Sequence, residues 1–340
     1  MLKRLAEVED FCLKTIDLGQ MENGEFKTFL FFPGKEDNGW IYAGPSVFLT
    51  SSIAITLISE RKIIASKITN RAAQYVLSQM EEKGLWRFYP HNGLFKFNTP
   101  LDVDDTSLAS YLLQKLKIKF PCNKELLYKQ ITKSGNFYIW FLPRFKFVFT
   151  PLVFLRLLFD LRHSFPIFFA LKGRTSAPLI NYYDSEHAVN ANAILYLGEN
   201  SQTKKAINHL VEDILFGNSC NLYFYPSILY TYYHISRVYS ELGIKQLENI
   251  KIKIENYFRK DCFEDILNIQ DKAVAIVTLA NFKIESNLKE SLMTEVLAAN
   301  LSEIAKPYPY FCTKDRAMVG GSIEYTCAIV LSAIRGYQGR

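Results

Sequence analysis

The sequence predicts an all-α fold, an α6/α6 barrel of repeated helix pairs. Three observations carry the prediction. Period-2 alternation of apolar and polar residues is scarce, so no sheet is expected. A loose unit recurs at about 40–50 residues: an aromatic- or Gly-rich turn, then small or acidic residues, then an apolar helix. The helices that close these units are apolar nearly all round, which requires burial on both sides.

In chain order the units are GPSVFLTSSIAITLI (44–58), PLDVDDTSLASYLL (100–113), SEHAVNANAILYLG (185–198), FYPSILYTYYHISRVY (224–239), IQDKAVAIVTLANF (269–282) and GGSIEYTCAIVLSAI (320–334). Between them lie amphipathic patterns such as KITNRAAQYVLSQMEEKG (67–84) and KKAINHLVEDILFG (204–217), each with apolar residues at three- and four-residue spacing and a closing Gly. Inner helices alternating with outer ones in six pairs favour a closed barrel over an open solenoid. No linker or low-complexity stretch divides the chain, so one domain over 1–340 is expected.

The 340 residues are 49% hydrophobic, ample for a large core. A net charge of +6 with scattered Lys and Arg does not suggest nucleic-acid binding. Aromatic residues are in surplus, with 26 Phe, 20 Tyr and 3 Trp, which suits a pocket for something apolar. The six cysteines (Cys12, Cys122, Cys220, Cys262, Cys312, Cys327) form no C-x-x-C and meet no His at zinc-finger spacing. Free thiols and an N-terminus without an apolar signal region are expected to mean a cytoplasmic protein. No apolar run reaches transmembrane length. The Phe- and Leu-rich stretch 137–173, broken by Arg144, Lys146, Arg156, Asp160 and Arg162 and by three prolines, reads either as a peripheral membrane contact with basic residues at the headgroups or as a buried segment with snorkelling basic side chains.

Asp102, Asp104 and Asp105 crowd the mouth of an apolar helix. Asp105 or Thr106 as a simple N-cap is the plain reading. Three acids exceed what a cap needs. Mutual repulsion and burial should raise the pKa of at least one, while the helix N-terminus keeps its neighbours ionised. Such a cluster holds a strong acid in a dry cavity, and protonating a carbon–carbon double bond, a very weak base, needs one.

Asp102-Val103-Asp104-Asp105-Thr106 resembles the D-x-D-D-T motif of class II terpene cyclases, the group of squalene–hopene cyclases and copalyl diphosphate synthases. The resemblance implies α/α barrels, general acid catalysis by the middle residue, Asp104, and tuning and reprotonation by Asp102 and Asp105. The glutamine–tryptophan repeats of triterpene cyclases are degenerate here, with only EKGLWRFYP (82–90) similar to one. With 340 residues, one barrel is covered, so the chain resembles the single-domain meroterpenoid cyclases. That implies a polyprenyl or prenylated aromatic small-molecule substrate, no redox cofactor, and Mg²⁺ only if the substrate is a diphosphate.

In class II enzymes a His or Asn from a nearby barrel helix hydrogen-bonds the acid. His187, Asn190 and Asn192 open another inner helix and are the candidates. Asn190 and Asn192 lie about 200° apart on an ideal helix, so both cannot face one cavity. They are preferred to His187, which is read as lying outside the helix. Aromatic faces would stabilise the cation at roughly 0.5–2 kcal/mol each. Candidates are Trp86, Phe88, Trp140, Tyr230, Tyr233, Tyr308, Tyr310, Phe311 and Tyr325, the best being those of PYPYFC (307–312). An anionic head group would meet Arg144, Lys146, Arg156 or Arg162.

Thr, Ser and Leu follow Asp104-Asp105, so the D-D-x-x-D motif of class I synthases fails. Asp261 and Cys262 are adjacent, without the spacer that zinc-binding prenyltransferase subunits have, and no metal ligand set is expected. EVED (7–10) reads as a solvated helix face. Two alternatives stand: a carbohydrate-active α6/α6 enzyme with Asp104 as general acid and a carboxylate opposite, and a non-catalytic helical-repeat scaffold with a polar concave surface.

Overall fold

A computed structural model of the chain describes residues 2–34, 39–89, 100–148, 150–159, 184–217, 222–259 and 267–339. Asp160, Arg162, Cys220, Asp261 and Cys262 lie outside the described residues, as does most of the second half of the 137–173 stretch.

The chain is mostly helical. Each recurring unit contains a helix: α2 (Val47–Leu57), α4 (Val103–Lys115), α7 (His187–Leu197), α9 (Ile228–Leu242), α11 (Ile269–Asn281) and α14 (Ile323–Tyr337). Local chemistry starts them. Ser46 accepts from Leu49 N, Asn268 from Asp271 N and Ser322 from Glu324 N, each satisfying a free N–H of the first turn. Gly198 and Gly243, both at positive φ, end α7 and α9. All eleven residues of α7 are buried, as its apolar composition requires.

These helices form a circuit: α2 packs on α4, α4 on α7, α7 on α9, α9 on α11, α11 on α14, and α14 returns to α2. Amphipathic helices back them. α1 (Leu2–Gly19) lies on α14, α3 (Ile63–Ser78) on α2, α8 (Lys204–Phe216) on α7 and α12 (Asn287–Ala298) on α11. On α1 the residues Leu5, Val8, Cys12, Leu13 and Ile16 face inward at three- and four-residue spacing. Its outer face carries Glu7 paired with Arg4, Glu9 with Lys62 and Asp10 with Lys14, so EVED is a solvated, ion-paired face. The pattern at 67–84 ends earlier than its glycine: α3 stops at Ser78, and the chain reverses through Lys83 and Gly84, both at positive φ, so that Glu81 bridges to Leu85. Shorter helices α5 (Lys124–Tyr128), α6 (151–159), α10 (Lys251–Phe258) and α13 (Leu301–Ile304) fill the connections.

A small sheet, which the sequence did not lead one to expect, accompanies the helices. β1 (Lys27–Phe31), β2 (Ile41–Pro45), β3 (Phe311–Cys312) and β4 (Val319–Gly321) form an antiparallel sheet in the order β2-β1-β4-β3. Strands of two to five residues are too short for period-2 alternation to stand out. β1 does alternate in burial, over five positions only. The sheet pairs Phe29 with Gly321 and Phe311 with Gly320, bringing the two ends of the chain to the N-terminal ends of the inner helices. At Gly320 a Cβ would press into the Phe311 ring, which would have to shift to admit it.

Among the described residues no helix is long and apolar enough to cross a membrane. α6 carries Leu152, Leu155, Leu158 and Phe159 on exposed positions, Leu152 being 70% exposed.

Candidate active site

α4 begins at Val103 because Asp102, in extended backbone, accepts from Asp105 N at 2.7 Å. Asp102 is therefore the N-cap, not Asp105 or Thr106. The Asp102 backbone also bridges to Trp140, and Val103 N donates to Ile139 O, which sets the strand-like 137–141 segment beside the helix mouth. The next carboxyl, Asp104, lies within the first helical turn and turns into a cavity of about 140 Å³ at the N-terminal ends of α2, α4 and α7. Apart from the three aspartates the lining is almost wholly apolar. Phe48, Phe88, Tyr89, Trp140, Phe224, Tyr225, Phe311 and Met318 supply most of it.

Both Asp104 oxygens accept from neutral donors. Asn192 Nδ2 donates to Oδ1 at 2.7 Å and the Tyr225 hydroxyl to Oδ2 at 2.7 Å. His234 Nδ1 lies 2.9 Å from Asn192 Oδ1. Since that oxygen only accepts, Nδ1 carries the proton. Burial holds the His234 pKa well below its ordinary value, with Arg237 adding to the effect, so the ring is neutral. The Tyr225 ring rests edge-on against His234 at 4.7 Å. Tyr225 is fixed from behind by Glu186, whose carboxylate accepts from Phe224 N at 2.9 Å and Tyr225 N at 3.2 Å.

Burial pushes the Asp104 carboxyl up to about 6, against the hydrogen bonds of Tyr225 and Asn192 and the charge of Arg237, which favour the anion. Burial raises Asp102 to about 7, opposed by its hydrogen bonds from Asp105. Asp105 rises well above the carboxylate range through burial and the Asp102 charge. Burial lifts Glu186 to about 8 although two backbone amides hold it. All three aspartates reach the cavity wall, and Asp104 differs from its neighbours in having two neutral side-chain donors that favour its anion, which make it the strong acid of the group.

The structure brings Asn192 to Asp104 and takes Asn190 away. Asn190 accepts from Phe137 N at 2.7 Å and donates to Glu186 O at 2.7 Å, a scaffolding role on the opposite face of α7. His187 lies inside α7, as its first residue, and reaches Asp213 at 3.3 Å rather than the cavity. Of the aromatic candidates Phe88, Trp140 and Phe311 line the cavity. Tyr310 stands one layer behind, stacked between Phe48 at 5.1 Å and Tyr325 at 3.8 Å. Trp86 is fully buried with its indole N–H on Val76 O, Tyr230 bonds Asp271, and the Tyr308 hydroxyl turns to Glu303 O. Tyr233 faces a different cavity at the other ends of the helices. The basic residues proposed for a head group are taken up elsewhere: Arg144 by Gln130 and Trp140 O, Lys146 by Ile131 O, and Arg156 by Glu81.

Phe48, Phe224, Tyr225, Met318 and His234 were not singled out from the sequence. Phe48, Phe224 and Tyr225 sit in aromatic turns just before or at the start of inner helices, so the rule that favoured PYPYFC applies to GPSVF and NLYFYPS equally. His234 lies mid-helix among tyrosines, with nothing local to mark it.

No family model and no curated sequence matches the chain. Solved structures do. A protein from Actinoplanes superposes with a TM-score of 0.66 at 12% identity, over 98% of this chain and 99% of that one. A variant of the type II terpene cyclase MstE from Scytonema, in complex with geranylgeranyl dihydroxybenzoate as substrate, gives 0.65 at 11% identity over 99% and 98%. The ent-copalyl diphosphate synthase of Streptomyces platensis gives 0.59 at 11% identity over 86% of this chain and 50% of that one. The chain therefore has the fold of type II terpene cyclases.

Proposed function

We propose that the chain is a single-domain class II terpene or meroterpenoid cyclase, its helix circuit the inner wall of an α6/α6 barrel. One observation carries the reading. Asp104, a carboxyl raised to about 6, faces an aromatic-lined apolar cavity while neutral donors hold both its oxygens.

Protonated Asp104 gives its proton to the terminal alkene or epoxide of a linear polyprenyl chain. The carboxylate left behind is stabilised by the Tyr225 hydroxyl and the Asn192 amide, whose orientation His234 fixes. Positive charge then passes along the chain through cation–olefin ring closures and is discharged by loss of a proton or by capture with an internal nucleophile, which leaves a neutral isomer of the substrate. Phe48, Phe88, Trp140, Phe224 and Phe311 present rings to it, and the apolar lining keeps water from capturing it early. The wall fixes the folding of the chain and hence the rings formed. Asp102 and Asp105, in contact behind Asp104, act as its proton reserve. A prenylated aromatic substrate is favoured because MstE, of similar fold and length, binds one. Such a substrate carries no diphosphate, so no Mg²⁺ is invoked.

The glycosidase alternative needs a carboxylate across the cavity. Among the described lining residues every carboxylate is on the Asp102–Asp105 side. A scaffold would need a polar concave surface, and the lining is apolar. We also propose that α6 rests on a membrane surface through Leu152, Leu155 and Leu158, next to the supply of an apolar substrate.

The test is incubation with geranylgeranyl dihydroxybenzoate, geranylgeranyl diphosphate and squalene, followed by mass spectrometry and NMR. A cyclised isomer of unchanged mass from one of them supports the reading and identifies the head group. Recovery of all three unchanged contradicts it.

A further inference from the structure

A second cavity, of about 240 Å³, lies at the C-terminal ends of α2, α4, α9, α11 and α14, the far side of the helix circuit from Asp104. Its lining is polar and includes Tyr111, Tyr233, Arg237, Glu241, Asn281 and Arg335. The two guanidiniums differ. Arg335 donates to Thr56 O at 2.6 Å and to the Ser59 hydroxyl at 2.7 Å, so it caps the end of α2 and offsets the negative pole there. Arg237 has no such partner. Among the described residues it makes no hydrogen bond or ion pair, only a contact over the Tyr233 ring at 5.6 Å, and its Nη2 is shut off from solvent. The nearby Glu241 carboxylate is taken by Lys115 at 2.6 Å. The Asp104 and Glu241 carboxylates act on Arg237 only through space, so this half-buried guanidinium keeps N–H donors that no group among the described residues takes up.

We propose that this cavity binds a small oxyanion of the phosphate class, held by the fork of Arg237 and supported by Arg335 and the surrounding hydroxyl and amide donors. A guanidinium presents parallel N–H donors that match two oxygens of a phosphate, which a carbonyl or a single hydroxyl does not. The site is separate from the Asp104 cavity and does not depend on the reaction proposed there.

The experiment is a titration of the full-length protein with inorganic phosphate and diphosphate, followed by calorimetry and by thermal stability, against chloride at equal ionic strength. Saturable binding absent with chloride is expected. Arg237→Gln should weaken it by ~10-fold or more, and Arg237→Lys, which keeps the charge and loses the fork, by less. A monoalkyl phosphate separates the two sources of the group. Affinity equal to that of inorganic phosphate means a free oxyanion, and much tighter binding means the head of a larger phosphorylated molecule. Should Arg237→Gln not fold, diffraction from crystals soaked in tungstate locates the anion directly, and density at Arg237 is expected. Absence of saturable binding, a folded Arg237→Gln that binds as well as the parent, or tungstate found only elsewhere would overturn the proposal.

Discussion

Replacing Tyr225 by Phe removes a single hydroxyl and keeps the ring that packs on His234 at 4.7 Å and Phe48 at 6.1 Å. That hydroxyl donates to Asp104 at 2.7 Å, a length typical of an O–H bond to a carboxylate. A hydrogen bond to a charged group contributes about 1.5–3 kcal/mol. The acid form of Asp104 accepts less strongly, so most of this acts on the anion alone. At 1.36 kcal/mol per unit, its loss raises the Asp104 pKa by ~1–2 units. The starting point is about 6. In the cyclase mechanism the acid form is the active one, so turnover falls as pH rises through this pKa. Tyr225→Phe should therefore carry the alkaline limb of the pH–rate profile upward by ~1–2 units. The weaker acid should also lower the plateau at low pH, by up to ~10-fold for each unit. The assay is product formation against pH under saturating substrate, with ¹³C NMR titration of labelled aspartate as a substrate-free check. An unchanged limb, or one moved to lower pH, would refute the claim that Tyr225 tunes Asp104.

Stability should fall as pH rises. Asp104, Asp102 and Glu186 have folded pKa values of about 6, 7 and 8, all above their ordinary ones, so the folded state binds more protons than the unfolded. Their stabilisation is complete below the unfolded values and is lost as pH climbs through the folded ones. Thermal melts at constant ionic strength should give a lower Tm at pH 8 than at pH 5. Asn192→Leu strips Asp104 Oδ1 of its donor and leaves the buried His234 N–H unpaired, which should cost ~1–3 kcal/mol in chemical denaturation. Gly320→Ala should push the Phe311 ring into the cavity and alter the ratio of cyclised products, read by chromatography, with folding intact. Leu155→Glu should abolish flotation with liposomes, and a parent protein that never floats would end the membrane reading.

What was legible in the sequence was what repeats or what clusters. Helices apolar on every side are hard to read otherwise, and α7, buried along its whole length, is the plainest case. The aspartates were visible because three acids at a helix mouth exceed the needs of a cap. Their division of labour was not visible, because capping depends on backbone conformation: Asp102 is extended and so takes the role assigned to Asp105 or Thr106. The choice between Asn190 and Asn192 turned on which face of α7 meets α4, a property of packing rather than of either asparagine. The sheet escaped notice because its four strands are short and its central pairing, β1 with β4, joins segments about 290 residues apart in sequence. Tyr225 and His234 escaped because their roles rest on contacts made across 121 and 42 residues of sequence.

The central claim is that Asp104 starts the reaction with its own proton. The most direct measurement is the reaction run in D₂O, with the parent protein and Asp104→Asn side by side. With an alkene substrate, an exchangeable carboxyl delivers one solvent deuterium to the methine carbon of the terminal double bond, leaving the cation on the dimethyl-bearing carbon, and the amide variant forms no product while keeping its circular dichroism. Product without deuterium, or turnover near that of the parent in Asp104→Asn, would contradict the account.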